Sequence, residues 1–195
     1  DNDGTFWCER PDYPSTLFQR HLLVGLINQG LHDGNQQPYK AWVEYDRGDL
    51  REFGWRKAYE VMNEAFAGMP VTAFRDSARV FLDNNPHSDF KVRCTELYYL
   101  PMLELARLLE AHEFQVWVVT GAEQDFVRSY IEPAAGIPPE RVIGSWTPAV
   151  SQIADGEVTV VRGAVQVYTG FEHKPGNIET RIGRRPVFAA GNSNN

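Results

Sequence analysis

Val116-Trp117-Val118-Val119-Thr120-Gly121 is a short apolar run that ends in a hydroxyl and a glycine. With Phe114 ahead of it, the segment 114–119 reads as a strand covered on both faces, which places it in the interior of a parallel sheet. Such a strand delivers Thr120 and Gly121 to its carboxyl end, where open α/β sheets gather their ligands. Before it, residues 98–111 carry Met102, Leu105, Ala106 and Leu109 at helical spacing, with Pro101 in the first turn. After it come a predicted helix over about 123–135 and a short strand over 141–145. Segments 157–161 and 164–168 alternate around Arg162-Gly163, the pattern of a β-hairpin. A helix over 174–182 and a strand over 186–190 follow. This order predicts an α/β fold, a three-layer Rossmann-like parallel sheet.

The opening residues, Asp1-Asn2-Asp3-Gly4-Thr5, place two carboxylates two positions apart. At an extended strand end both face one pocket. Gly4 allows a sharp turn and Thr5 can tie it down with its hydroxyl. Two acids sharing a site suit a division in which one stays ionised as nucleophile and the other carries a proton. Taken alone, such Asp/Asn/Gly runs are mostly solvated turns.

Two more segments follow in order: Lys174-Pro175 at a helix start, and Pro186-Val187-Phe188-Ala189-Ala190-Gly191-Asn192-Ser193, a strand running into a turn. Together the four segments resemble, over the whole chain, the haloacid dehalogenase-like (HAD) superfamily, in its phosphoserine-phosphatase-like branch with a helical cap between the first and second motifs. The resemblance implies a Mg²⁺-dependent phosphomonoesterase working through an aspartyl-phosphate. Asp1 would be the nucleophile and Asp3 the acid/base. Thr120, assisted by the Gly121 N–H, would hold a phosphate oxygen, and Lys174 would sit between phosphate and Asp1. Mg²⁺ would be held by Asp1, Asp3 through its carbonyl, and Asn192. The resembling pattern has an aspartate where this chain has Asn192, a neutral and poorer ligand. That departure motivates a second reading, a phosphate- or metabolite-binding protein on the same fold. A C-halogen hydrolase shares the nucleophile but has no use for Asp3.

Between the first two motifs, residues 13–89 are predicted to form the helical cap, with 1–12 and 90–195 as the core. Ser15 is a candidate N-cap for a helix carrying Leu17, Leu22, Leu23, Leu26 and Ile27 up to Gly30. Residues 31–54 read as a loop with one short helix over 38–45. Helices over 56–67 and, after Pro70, up to Asn84 complete the cap. His21 and His32 lack acidic or cysteine companions at ligand spacing and read as solvated or capping. Trp42 and Trp55 could box a cation, though core packing is the commoner fate of such residues. Phe6 and Trp7 read as core rather than as a wall over the site. Glu9 and Arg10 are candidates to bind a charged group of a small phosphate ester, against the plainer reading of a surface ion pair.

The chain has 195 residues, 43% apolar, with a net charge of −7. This suits one domain with a sizeable core, or a core plus a small inserted cap, and argues against nucleic acid or an anionic membrane as the main partner; a small soluble phosphate ester as partner is what the resemblance implies. No apolar run approaches the roughly 18 residues of a membrane span. Cys8 and Cys94 match no metal or redox spacing and read as reduced structural residues. The apolar strand expected before Asp1 lies outside the sequence, as does any acid after Asn195, so a longer protein is expected at both ends. A cytoplasmic location is expected, with an upstream signal peptide left open.

Overall fold

The computed structural model describes residues 1–154 and 156–192. Ser193 of the fourth motif lies outside the described residues. In chain order the elements are α1 (Pro14–Asn28), α2 (Tyr39–Glu44), α3 (Arg47–Phe53), α4 (Trp55–Glu64), α5 (Val71–Asn84), α6 (Leu100–Ala111), β1 (Val118–Glu123), α7 (Gln124–Arg128), α8 (Ile131–Ala135), β2 (Val142–Ser145), β3 (Ala149–Ala154), β4 (Glu157–Arg162) and α9 (His173–Ile182). None of these helices is long and apolar enough to cross a membrane.

The chain divides into two compact units, residues 1–15, 74–146 and 168–195 on the one hand, and 16–73 with 147–167 on the other. Nearly all of α5 therefore belongs with the first unit, whereas the sequence groups it with a cap over 13–89. The β3–β4 hairpin joins the second unit.

In the first unit, β1 pairs in parallel with β2, Val118 opposite Val142 and Val119 opposite Ile143. Among the described residues this is a two-stranded sheet, so the mixed α/β character stands, while a full three-layer Rossmann-like sheet is not shown. β1 begins at Val118 rather than at 114 and runs past Thr120 to Glu123. The predicted helix over 123–135 is broken into α7 and α8 at Tyr130, whose φ of −131° leaves the helical region; Pro133 has no N–H to give the Ser129 carbonyl, which takes the Arg79 Nε–H at 3.0 Å instead. Glu123 instead caps α7, accepting the Phe126 N–H at 2.6 Å. The strand expected over 186–190 is absent: these residues lie outside the sheet, with Val187 and Phe188 exposed. A strand needs a neighbour to take its N–H and C=O groups, and among the described residues β1 pairs with β2 alone. The core centres on Trp7, fully buried, with its ring 4.5 Å from that of Tyr130 and 5.9 Å from that of Tyr98.

In the second unit, α1 starts with Pro14 in its first turn, so Ser15 is inside the helix rather than its cap. The segment 31–54 holds two helices, α2 and α3, the second begun by Asp46, whose carboxylate takes the N–H groups of Gly48 and Asp49. Trp42 is fully buried, donates its indole N–H to the Ala58 carbonyl at 3.1 Å, and meets Tyr59 and Trp55 edge-on. It is a core residue, not the wall of a cation box. The hairpin is one strand earlier than its predicted place: β3 pairs antiparallel with β4, Ala149 opposite Arg162. Its turn carries Gly156 at φ +81°, a left-handed conformation natural to glycine.

Candidate active site

The loop from Asp1 to Trp7 is folded onto itself by short-range bonds. The N–H groups of Thr5 and Phe6 both donate to the Asn2 carbonyl, at 3.1 and 2.8 Å, and the Gly4 N–H donates to the Trp7 carbonyl at 3.0 Å. Gly4 is left-handed, with φ +70°. A Cβ there would also displace the amide of Asn192, so the left-handed backbone favours glycine and the Asn192 side chain closes over it. Trp7 anchors the loop in the core and turns its indole N–H to the Asp3 Oδ1 at 2.7 Å. Asn2, fully buried, gives its side-chain N–H to the same oxygen at 3.1 Å and accepts the Tyr130 hydroxyl at 3.2 Å.

Both bonds to Asp3 fall on Oδ1, which leaves Oδ2 to carry a proton. Burial pushes the Asp3 carboxyl from its ordinary 3.8 up to about 6, the two hydrogen bonds hold it down, and the Glu9 carboxylate nearby raises it further. Asp1 presents its carboxylate to Lys174, whose Nζ stands 3.0 Å from Oδ2. Both side chains are largely buried, 10% and 13% exposed, which places this ion pair in a low-dielectric setting. Burial holds the Lys174 ammonium below its usual range, with Asp3 acting in the opposite sense.

Lys174 is aimed by α9. Pro175 sits in that helix's first turn, and one turn on Asn177 donates to the Tyr168 carbonyl and the Thr169 hydroxyl, both at 3.0 Å. Thr169 in turn donates to the Gly144 carbonyl at 2.6 Å, and its N–H donates to the Ser145 hydroxyl at 3.1 Å. Ser145 donates to the Gly121 carbonyl at 2.8 Å. One chain of hydrogen bonds thus runs from the helix of Lys174 to the strand of Thr120 and Gly121.

Thr120 is buried, and its Oγ accepts the Ala122 N–H at 3.1 Å, so its own hydrogen remains to be donated. The register of β1 on β2 is irregular between Val119 and Glu123, the span that includes Thr120 and Gly121. Such irregularities at a strand end re-aim side chains. Gly121 lies against the Gly170 backbone, with a would-be Cβ 3.5 Å from its Cα. Asn192 takes the Thr5 hydroxyl on its Oδ1 at 3.5 Å, which sets it over the Asp1 loop.

Of the two charged residues after the loop, Glu9 is turned inward, 11% exposed, and Arg10 outward, 81% exposed, at 3.4 Å from each other. The structure thus gathers Asp1, Asp3, Glu9, Lys174 and Asn192 around one loop, and leaves Arg10 at the surface. Asn2, Ser145, Thr169 and Asn177 escaped the sequence reading. Each is a small polar residue with no spacing signature, and only the fold shows what it holds.

Hard oxygen donors are present for a divalent cation: the Asp1 carboxylate, the Asp3 carbonyl and the Asn192 amide oxygen. Among the described residues no group of three or more His, Cys, Asp or Glu side chains is assembled to hold a metal. The Asp1, Asp3 and Asn192 oxygens are of the hard type that Mg²⁺ takes, an ion that keeps several waters and needs only one or two carboxylates with a substrate phosphate. No family model matches the chain, and no curated protein matches it.

Proposed function

We propose that the protein is a Mg²⁺-dependent phosphomonoesterase for a small phosphate ester, of the HAD type. The observation that carries the reading is the Asp1–Lys174 pair, 3.0 Å apart and 173 positions apart in sequence, beside an aspartate whose carboxyl is pushed to about 6. A nucleophilic carboxylate must stay ionised, and a lysine at contact distance keeps it so. An acid/base must give and take a proton near neutral pH, and Asp3 is tuned for that.

In this reading the Asp1 Oδ attacks phosphorus while the bond from phosphorus to the leaving oxygen breaks, and Asp3 gives that oxygen its proton. Asp3, now ionised, takes a proton from water. The resulting hydroxide attacks phosphorus, the Asp1–phosphorus bond breaks, and free carboxylate and phosphate result. Lys174 and the Thr120 hydroxyl hold charge that builds on the phosphoryl oxygens. Mg²⁺, held by Asp1, the Asp3 carbonyl and Asn192, supplies charge neutralisation when bound. The inward Glu9 suits an ester whose leaving part carries a cation.

Release of p-nitrophenol from p-nitrophenyl phosphate is expected to require Mg²⁺ and to vanish in Asp1→Asn. Beryllium fluoride should be trapped on Asp1. No Mg²⁺-dependent release from any ester in a broad panel overturns the reading. Asn192 in place of an acid favours the second reading, a binding protein without turnover. Calorimetry showing phosphate-ester binding in the absence of release selects it.

A further inference from the structure

Tyr168 opens the turn that leads into α9, and its backbone is held on both sides. Asn177 donates to the Tyr168 carbonyl and to the Thr169 hydroxyl, both at 3.0 Å, and Thr169 donates to the Gly144 carbonyl at 2.6 Å. From this fixed point the half-buried side chain curls forward over Gly170. A Cβ on Gly170 would stand 2.1 Å from the Tyr168 hydroxyl oxygen and 2.4 Å from the ring carbon that bears it, so glycine at 170 is what admits the phenol. The ring meets that of His173 edge-on, with centroids 5.7 Å apart. The hydroxyl oxygen reaches Gly121, at 4.0 Å from where a Cβ on that residue would be.

The phenol is thus bracketed by the chain neighbours of the two groups that hold phosphoryl oxygens in the phosphatase reading. His173 precedes Lys174, and Gly121 follows Thr120. We propose that the Tyr168 hydroxyl is a third donor to the phosphoryl oxygens, a substrate-binding group beside Lys174 and Thr120. The inference rests on that reading's placement of the phosphate. The Lys174 ammonium is shared with the Asp1 carboxylate at 3.0 Å, and Thr120 has one hydrogen to give, whereas the phosphoryl group carries three oxygens to be bonded. A neutral O–H adds a short charge-assisted bond without bringing another charge into the site. With the backbone fixed and the ring seated, little freedom is lost when it binds. Packing alone asks only for the ring. Phenylalanine would fill the same space against His173 and Gly170, and the hydroxyl is the part that lies at Gly121.

Tyr168→Phe removes this donor and keeps the ring. Calorimetry with inorganic phosphate and Mg²⁺ is expected to show an affinity about 10–100-fold below that of the parent, the range of one hydrogen bond to a charged group. The kcat/KM for p-nitrophenyl phosphate should fall by a similar factor, with the melting temperature in EDTA unchanged. Gly170→Ala, whose Cβ pushes the phenol off its seat, should weaken phosphate binding as well, and the double variant should bind no more weakly than the weaker single one. Phosphate affinity equal to the parent's in Tyr168→Phe overturns the proposal, whatever the melting temperature. Losses that add in the double variant assign Tyr168 to packing and overturn it too. The phosphomonoesterase reading fails separately. A parent chain that binds phosphate without releasing p-nitrophenol sinks that reading and leaves Tyr168 to be decided by calorimetry, and a parent that binds no phosphate sinks both.

Discussion

Asp3 is the residue where structure and chemistry meet most directly. Its carboxyl is pushed from 3.8 to about 6, chiefly by burial. A raised folded value means that the fold prefers the protonated form. The stability this group contributes is therefore fully present below about pH 4 and is lost as pH rises through about 6. At 1.36 kcal/mol per pH unit the loss is on the order of 2–3 kcal/mol. Asparagine at this position still accepts from Trp7 and Asn2 and carries no charge to bury. In the metal-free protein, Asp3→Asn is expected to match the parent at pH 4 and to exceed its stability by up to about 2–3 kcal/mol at pH 8. Urea unfolding in EDTA at pH 4, 6 and 8 reads this, and parallel curves for the two proteins refute it. The gain in stability should accompany a ~10²–10⁴-fold loss of turnover, the usual worth of one positioned acid/base.

At the scale of elements, helices were the more legible part. Pro14, Pro70, Pro101 and Pro175 each mark a helix start within a residue or two, because a fixed φ and a missing N–H suit the first turn. Strands were less legible, since their limits depend on partners the local sequence does not name. Alternation around Arg162-Gly163 suggests a hairpin there, whereas Asp155-Gly156 is the stronger turn signal and lies between β3 and β4. Helix α3 has little signal in the sequence, because its own residues, charged and Gly-containing, hide the Asp46 cap. Gly144 of β2 tests how tightly the β1–β2 pair is built. A Cβ there would stand 2.6 Å from the Gln124 Cα and 2.8 Å from the Ala122 carbonyl oxygen, both backbone atoms that cannot swing aside. Gly144→Ala is expected to cost about 1–3 kcal/mol in urea unfolding. Gly176→Ala, inside α9 with nothing within 4 Å of its would-be Cβ, is the contrasting case and is expected to gain up to about 1 kcal/mol.

At the scale of the whole molecule, the residues gathered around the acid loop come from Asp1 to Glu9, Lys174 and Asn192, near the two ends of the chain, and all belong to the first unit. Their order along the sequence was what made them legible, since the chemistry demands those residue types at strand and helix ends. Their supports were not, because Asn2, Ser145, Thr169 and Asn177 act through contacts between segments far apart in sequence. A ligand held by such a set stabilises the fold in proportion to occupancy, about 2.7 kcal/mol at a hundred times its dissociation constant. For a chain of this size Mg²⁺ with beryllium fluoride should therefore raise the melting temperature by roughly 5–10 °C. Asn192 decides how the metal part of that shift behaves. Its amide lies over Gly4 and takes the Thr5 hydroxyl, so it can act as an oxygen ligand or as the clasp of the turn. As a ligand, Asn192→Asp adds a negative charge to the ion's surroundings and lowers the Mg²⁺ concentration needed for half the shift, while Asn192→Ala raises it. As a clasp, Asn192→Asp leaves the Mg²⁺ midpoint where it was, and Asn192→Ala lowers the melting temperature in EDTA. Without this residue the oxygens proposed for Mg²⁺ fall to one carboxylate and one carbonyl, so the expected result is the first, a Mg²⁺ midpoint that moves in opposite directions in the two variants.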